Sequence, residues 1–538
     1  MNPSRWRYGF LITWLFEGAV LAEAPRPTAL ETAAQMVRVG GASGGVVSVV
    51  GATDAELALA LAKQGRFVVH VLCADRELCD TMRETIRAAG MYGAVSANVL
   101  EGGRLPYTDN LINLVVVDSY AALAKGGPTP QEVLRVLAPL GTACVGTFAT
   151  EGQAGALLDQ LRALGLKGPS ILQAGGRWVC FQKPWPADID EWTHYLHGAD
   201  GNPVAQDRVV GPPRHYQWIA EPLWLKSHET DSSVSTVVTA RGRLFAIVDE
   251  APNSVEGATL PDKWSLVARD AFNGVLLWKV PIRRWGWREW KDTWFTNRPG
   301  DFPLDIRQRL VAVGDKVYVT LGYRAPVSEL DARTGEVLQT YAGTEGAGEI
   351  LYHNGKLILP VFVDGQLKVV SVDAGTGKLL WASGKTYRGS AVDYVKFTSP
   401  YADLKAPYVA PAANAATDGK TVALLDGTQL VGLDFRTGAE KWHASFPTAD
   451  ADRTAGGANA QDNLWNGTMI VSDGVVLHAS PAKLAAFDGE TGKLLWAQPK
   501  KYIGHLWYEW KEVFVIEGLV WTWSAELDDT TFDVGGKG

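Results

Sequence analysis

The side chains able to hold a metal or a planar ligand fall into three clusters. "EWTHYLHGAD" brings His194, His197 and Asp200 close in sequence, with His215 further on. Imidazole and carboxylate together suit a transition metal, but zinc motifs set their ligands at compact, regular intervals. These spacings match no such motif, so the histidines are expected to be structural. The four cysteines, Cys73, Cys79, Cys144 and Cys180, contain no CxxC pair, no CxxCH haem site and no adjacent Cys-Cys. Four cysteines in so long a chain do not form a disulfide framework. The third cluster is "RRWGWREWKDTWFTNRPGDF", where Trp285, Trp287, Trp290 and Trp294 could stack on a sugar or planar ligand, or pack as a lid over the rim below them.

A chain of 538 residues must divide these clusters among two or more domains. Lys and Arg number 51 against 59 Asp and Glu, a net charge of −8, and no basic stripe occurs, so nucleic acid is not an expected partner. The 21 Trp residues gather in the C-terminal two thirds, and with 57 Gly in the chain this suggests short strands and turns anchored by large rings. At the N-terminus, Arg5 and Arg7 precede an apolar core from Tyr8 to Phe16, and Val20 and Ala22 fit the small-residue cleavage rule. Residues 1–24 therefore read as a signal peptide, and the protein as exported to the periplasm or beyond the cell. No later stretch reaches the ~18 apolar residues of a membrane span.

Residues 25–185 alternate buried-strand runs with helical patterns. "VVSVVG", "FVVHVLCAD", "LINLVVVDSY" and "TACVGTF" read as strands, and "DAELALALAKQG", "RELCDTMRETIRAAG" and "PQEVLRVLAPLG" as helices. That rhythm predicts a parallel, Rossmann-like sheet covered on both faces, closed by a hairpin of "SILQAG" and "RWVCFQK". The glycine turn at Gly51, the acidic Asp75 and "LPYTDNLINLVVVDSY…EVLRVLAPLG" make this segment similar to the class I S-adenosylmethionine-dependent methyltransferases. The resemblance implies a G-x-G-x-G turn at 51–55, an acid at Asp75 for the ribose hydroxyls, and Asp118 beside them. Two of its glycine positions hold Thr53 and Ala55, whose Cβ atoms would occupy cofactor space, so the site formed by Gly51, Thr53, Asp75 and Asp118 is expected to be degenerate. Asp75 and Asp118 could equally cap the helices that follow. The same topology makes Cys144 and Cys180 neighbours on antiparallel strands, as buried free thiols. "GGASGG" (40–45) precedes the first strand and reads as linker.

Residues 186–230 read as a linker too, although Trp192, Tyr195, Trp218 and Trp224 are apolar enough to pack against the domains they join.

From 231 to 538 one phrase recurs, with the frame Asp-x-x-(Thr/Asn)-Gly-x-x-x-Trp. It runs from Asp270 to Trp278, Asp373 to Trp381, Asp434 to Trp442 and Asp488 to Trp496; a fifth copy keeps Asp331 and Gly335 but carries Gln339 for the Trp. Asp can accept turn N–H groups, Gly supplies a positive φ, and the chain returns as an outer strand. Such small sheets bury their faces only by stacking radially. The phrase resembles the repeat of quinoprotein alcohol dehydrogenase-like (PQQ-repeat) β-propellers, in which this Asp…Trp docking motif holds blade to blade. "EVFVIEGLVWTWSAEL" (512–527) reads as the start of a sixth blade, and because eight are usual in that family the propeller is expected to be C-terminally incomplete.

The resemblance allows pyrroloquinoline quinone with calcium, for which Asn459, Asp462 and Asn463 in "GGANAQDNLWNG" are candidate oxygen ligands. Three functions follow as expectations: a ligand-binding or protein-interaction scaffold, with a protein or carbohydrate partner on the propeller face; a PQQ- and calcium-dependent dehydrogenase; or a methyltransferase using S-adenosylmethionine.

Overall fold

A computed structural model describes residues 27–119, 126–146, 148, 150–212, 216–221, 233–251, 263–286, 289, 304–363, 366–389, 413–427, 429–446, 468–479, 483–499 and 513–522. The leader region, His215, Trp224, Trp287, Trp290, Trp294, Asn459, Asp462 and Asn463 lie outside them. Among the described residues, no helix is long and apolar enough to cross a membrane.

The first domain opens with α1 (Ala29–Gly40), which the sequence reading did not foresee. Its start is a reciprocal cap between Thr28 and Glu31, with Glu31 Oε2 accepting from the Thr28 amide at 2.7 Å. Seven strands follow: β1 (Gly44–Val50), β2 (Arg66–Cys73), β3 (Val95–Val99), β4 (Ile112–Val117), β5 (Leu137–Val145), β6 (Ser170–Gln173) and β7 (Arg177–Gln182). Between them lie α2 (Glu56–Ala62), α3 (Arg76–Ala88), α4 (Pro130–Val136) and α5 (Glu151–Ala163). The sheet order is β3-β2-β1-β4-β5-β7-β6, with β1 to β5 parallel and β7 antiparallel to both its neighbours. This is the α/β sheet the resemblance implies, including the antiparallel β5–β7 adjacency.

Val47, Val49, Val69, Val71, Leu114 and Val116 face a core with Met36, Leu61, Met82 and Ile86 of α1 to α3. Val50, Leu72, Val115, Val117 and Val145 face a second core with Val133, Leu157 and Leu161 of α4 and α5. Burial on both faces explains why these strands read as unbroken apolar runs. Two details differ from expectation. "PQEVLRVLAPLG" leaves the helix at Val136 and continues directly as β5, and "GGASGG" is no linker: Gly40 ends α1, Gly41 caps it, and Gly44 and Gly45 open β1.

The second domain is a succession of five four-stranded antiparallel sheets and a two-stranded one. Blade 1 holds β8 (Val234–Ala240), β9 (Arg243–Asp249), β10 (Trp264–Asp270) and β11 (Leu276–Pro281). Blade 2 holds β12 (Leu310–Val313), β13 (Lys316–Thr320), β14 (Val327–Asp331) and β15 (Val337–Thr340). Blade 3 holds β16 (Leu351–His353), β17 (Lys356–Val363), β18 (Gln366–Asp373) and β19 (Leu379–Ala382). Blade 4 holds β20 (Ala416–Thr417), β21 (Thr421–Asp426), β22 (Gln429–Asp434) and β23 (Glu440–Ser445). Blade 5 holds β24 (Thr468–Ser472), β25 (Val475–Ala479), β26 (Lys483–Asp488) and β27 (Leu494–Pro499), and the pair β28 (Val513–Ile516) and β29 (Leu519–Thr522) follows. The first strand of each blade lies beside the first strand of the next, so β8, β12, β16, β20 and β24 surround an axis. Apolar clusters bridge successive sheets, as when Trp278 of blade 1 shares a core with Leu330 and Ala332 of blade 2.

Candidate functional site

The turn at 51–55 keeps one of the features expected of it. Gly51 takes φ 70° at the end of β1, a left-handed conformation that glycine adopts without strain. Neither Thr53 nor Ala55 has positive φ. The Ala55 methyl is buried in the domain core and Thr53 is exposed beside it. Asp75 caps α3, its Oδ1 accepting from the Leu78 amide at 2.9 Å. Asp54 Oδ1 accepts from the Glu56 amide at the start of α2. Asp118 is partly buried at the end of β4, and burial, then the charge of Asp54, hold its carboxyl above the usual range. The crevice at the carboxyl ends of β1, β2 and β4 thus carries carboxylates, with Asp54 and Asp75 occupied in helix capping.

In the propeller, the repeated phrase builds one local structure five times. Each Asp Oδ1 accepts from turn amides, for example those of Arg436 at 3.0 Å and Thr437 at 2.8 Å for Asp434. The glycine that follows is left-handed in every copy, with φ of 74°, 76°, 70°, 71° and 69° at Gly274, Gly335, Gly377, Gly438 and Gly492. A second constraint acts at Gly335, where a Cβ would lie 2.7 Å from the Trp278 ring, and at Gly438, where it would lie 2.3 Å from that of Trp381. The tryptophan of one blade therefore lies flat on the glycine turn of the next. Its Nε1 donates across the boundary: Trp278 to the Ala332 carbonyl at 3.0 Å, Trp381 to Phe435 at 3.0 Å, and Trp442 to Gly489 at 2.9 Å.

Trp278, Trp381 and Trp442 are each buried to 7% exposure, whereas Trp496 is 37% exposed, contrary to its expected burial. Among the described residues no turn lies against its ring. Blade 2, with Gln339, fills the contact differently. The Tyr341 hydroxyl lies 2.6 Å from the Ala374 carbonyl, the position an indole N–H serves elsewhere. Trp218 does the same for blade 1, donating to the Ala271 carbonyl at 2.9 Å with its ring over Gly274. Neither substitute was recognised in the sequence, although a tyrosine two residues past a missing tryptophan is a visible signal.

The expected linker also does more than pack. The carbonyl of Trp192 accepts from Thr239 of β8, and that of Thr193 from Ala312 of β12. His194 Nε2 accepts from the Tyr352 amide of β16 at 3.0 Å. The carbonyls of Ala199 and Asp200 accept from Thr417 of β20 and Val471 of β24. Asn202 exchanges both side-chain bonds with the Val515 backbone of β28. Eleven consecutive positions, 192–202, thus meet the innermost strands of all six sheets in chain order. Burial lowers the pKa of His194 to about 3, so its ring is neutral, with Nδ1 2.7 Å from Thr193 Oγ1. His197 pairs with Asp190 at 2.7 Å. These histidines are structural, and among the described residues no three metal-binding side chains cluster. Trp285 is buried against Tyr323 and Arg309 rather than offered to a ligand.

The two domains meet through Asn113 of β4, a residue with no motif to announce it. Its Nδ2 donates to Asp270 Oδ2 at 2.6 Å, while its Oδ1 accepts from Asn273 Nδ2 at 2.7 Å and from the Val46 amide at 2.8 Å. Asn273 also donates to the Leu111 carbonyl. Only in blade 1 does the phrase read Asn-Gly instead of Thr-Gly, and that asparagine is the residue that reaches the first domain.

Residues 262–528 match a family described as outer membrane protein assembly factor BamB. Solved structures similar to the N-terminal part include an S-adenosylmethionine-dependent methyltransferase from Aquifex aeolicus (14% identity, 29% of this chain and 89% of that one, TM-score 0.25). A TehB-like methyltransferase from Corynebacterium glutamicum is 18% identical over 28% of this chain and 87% of its own, with TM-score 0.22. A precorrin-6y C5,15-methyltransferase from Geobacter metallireducens is 11% identical over 29% and 87%, with TM-score 0.24. No curated protein matches the chain.

Proposed function

We propose that the chain is an exported protein-interaction scaffold, in which a methyltransferase-like domain without cofactor function is fixed to a PQQ-repeat propeller. The observation that carries this reading is on the outer strands. Leu379 and Leu380 of β19 are 56% and 41% exposed, and Leu494 and Leu495 of β27 are 43% and 47% exposed. Leucine pairs on exposed edge strands invite another chain. Blade 1 shows such a position occupied: Leu277 of β11 is 7% exposed, and a Cβ at Gly44 of the first domain would lie 3.0 Å from its Cδ2. The match to a family named for outer membrane protein assembly supports a protein partner and a cell-envelope location over a carbohydrate.

Two features of the crevice around the turn at 51–55 support a loss of S-adenosylmethionine binding. Thr53 carries an exposed side chain where the family turn is bare, although the Ala55 methyl turns into the core, and Asp75 has an oxygen committed to α3. The residues considered for calcium and quinone lie outside the described part of the chain. Photo-crosslinkers placed at Leu380 and Leu495 in cells should capture the same protein partner, with none captured from Thr81 of α3. Capture at neither leucine position would sink the scaffold reading. Micromolar S-adenosylmethionine binding by calorimetry would restore the methyltransferase. A visible spectrum developed on adding pyrroloquinoline quinone and Ca²⁺ would restore the dehydrogenase.

A further inference from the structure

A cavity of about 200 Å³ lies where the two domains meet, walled by Gly40–Gly44 on one side and by blades 1 and 2 on the other. Three arginines line it: Arg241 and Arg243 from the β8–β9 hairpin, and Arg333 from the docking turn of blade 2. The carboxylates facing them are Asp270 and Asp315, with Asp331 behind Arg333. These are already engaged. Asp270 accepts from Asn113, Phe272 and Asn273, Asp331 from the Arg333 and Thr334 amides, and Asp315 Oδ1 from Arg243 Nη2 at 2.5 Å. The arginines keep donors to spare, although Arg243 Nη2 also donates to the Gly314 carbonyl at 3.1 Å. Arg241 stands 3.6 Å from Asp315 and Arg333 3.9 Å from Asp331, both beyond hydrogen-bond distance, and the buried Arg243 Nε has no partner among the described residues. Each guanidinium offers five N–H donors. The cavity is therefore rich in donors and poor in free acceptors.

The backbone adds a second observation. Arg241 is held at φ 49°, a conformation unfavourable for a long side chain, and its amide is fixed on Glu191 Oε1. The corresponding turns of blades 3 and 5 carry Asn354 and Asp473, the residue types that tolerate it, and that of the β28–β29 pair carries Glu517 at φ 51°. At Arg241 this strained apex sets the side chain on the wall of the shared cavity.

We infer that this cavity binds a multivalent oxyanion, a phosphate or a dicarboxylate, held by Arg241, Arg243 and Arg333 against the glycine-rich segment 40–44. Such a ligand would bridge the two domains, and the site does not depend on the scaffold reading. The full chain is titrated calorimetrically with pyrophosphate and with malonate at constant ionic strength, chloride serving as the control. Saturable binding of at least one anion is expected, with a rise in thermal midpoint, and the stronger of the two identifies the ligand class. Arg241→Gly suits the left-handed turn, so its midpoint in chloride should equal or exceed that of the native chain while anion affinity falls at least tenfold. Arg333→Ala should weaken binding similarly. Absence of saturable binding by both anions, or unchanged affinity in both variants, overturns the site.

Discussion

Asn113 on β4 holds Asp270 at the end of β10, 2.6 Å from amide nitrogen to carboxylate oxygen, and so joins the seven-stranded sheet to the first docking turn of the propeller. Asp270 is 6% exposed, and burial raises its pKa against the opposing effect of the Asn113 bond. Because the folded pKa is raised, protonation favours the folded state, and the unfavourable contribution grows as pH rises through that pKa. Asn113→Ala removes a bond that favours the ionised form and leaves a buried oxygen without its donor, at a cost of about 1–3 kcal/mol. Calorimetry should show the N-terminal domain melting earlier and apart from the propeller. The deficit relative to the native chain should be largest at neutral pH and shrink towards pH 4. An unchanged single transition would mean that the interface rests elsewhere.

The docking rings differ in how much they bury, and the differences predict a ranking. Trp381→Ala removes a buried indole and its bond to Phe435 and should cost about 3–5 kcal/mol. Trp496→Ala, at a ring 37% exposed, should cost clearly less. Tyr341→Phe keeps the ring and loses only the hydroxyl that lies between Ala374 and Glu329, about 1–3 kcal/mol for the groups left unpaired. Thermal midpoints of the three variants should fall in the order Trp381, Tyr341, Trp496, largest loss first. Equal losses at Trp381 and Trp496 would contradict the docking geometry.

What the sequence disclosed and what it hid divide along the range of the interactions. Buried strands such as "VVSVVG" and the Asp-to-Trp phrase are local patterns with a local physical cause, so sheet order and blades could be anticipated. Tyr341 and Trp218 were missed because each replaces an indole from outside the repeat register. The axial course of residues 192–202 was missed for a different reason. Its contacts are backbone carbonyls meeting strands as far away as Val515, and a carbonyl leaves no mark in composition. Asn113 is one polar residue in an apolar strand, and only the opposing Asn273 gives it meaning. At the turn after β1, the departures at Thr53 and Ala55 were legible, and so was the capping alternative for Asp75, which the bond from the Leu78 amide realises.

The axial segment makes stability depend on a neutral histidine. His194 is fully buried with its pKa lowered to about 3, and His478 on β25 is lowered to about 4, both chiefly by burial. Their unfolded value is about 6.5, so the stability they protect is complete above that pH and is lost as pH falls towards the folded values. At pH 5 each contributes a loss of about 2 kcal/mol relative to pH 7. Denaturant midpoints should therefore fall between pH 7 and 5. His194→Gln keeps an acceptor near the Tyr352 amide without a titrating ring, and should flatten about half of that slope. A variant with the native slope would show that His194 does not set the pH response.

The thiol pair tests the strand order chemically. Cys144 on β5 is in register with Cys180 on β7, and their sulfurs lie 3.0 Å apart as free thiols. The neighbouring sulfur, then burial, hold the Cys144 thiol well above its usual pKa, and Cys73 is raised to about 12, chiefly by burial. Thiolate is the reactive form, so buried thiols with raised pKa values should be inert in the folded protein. All four cysteines are buried. A maleimide added to native protein should label none of them within the lifetime of the folded state, and after denaturation without reductant it should label all four. Mass spectrometry that finds only two labels, rising to four after reduction, would show that the pair oxidises.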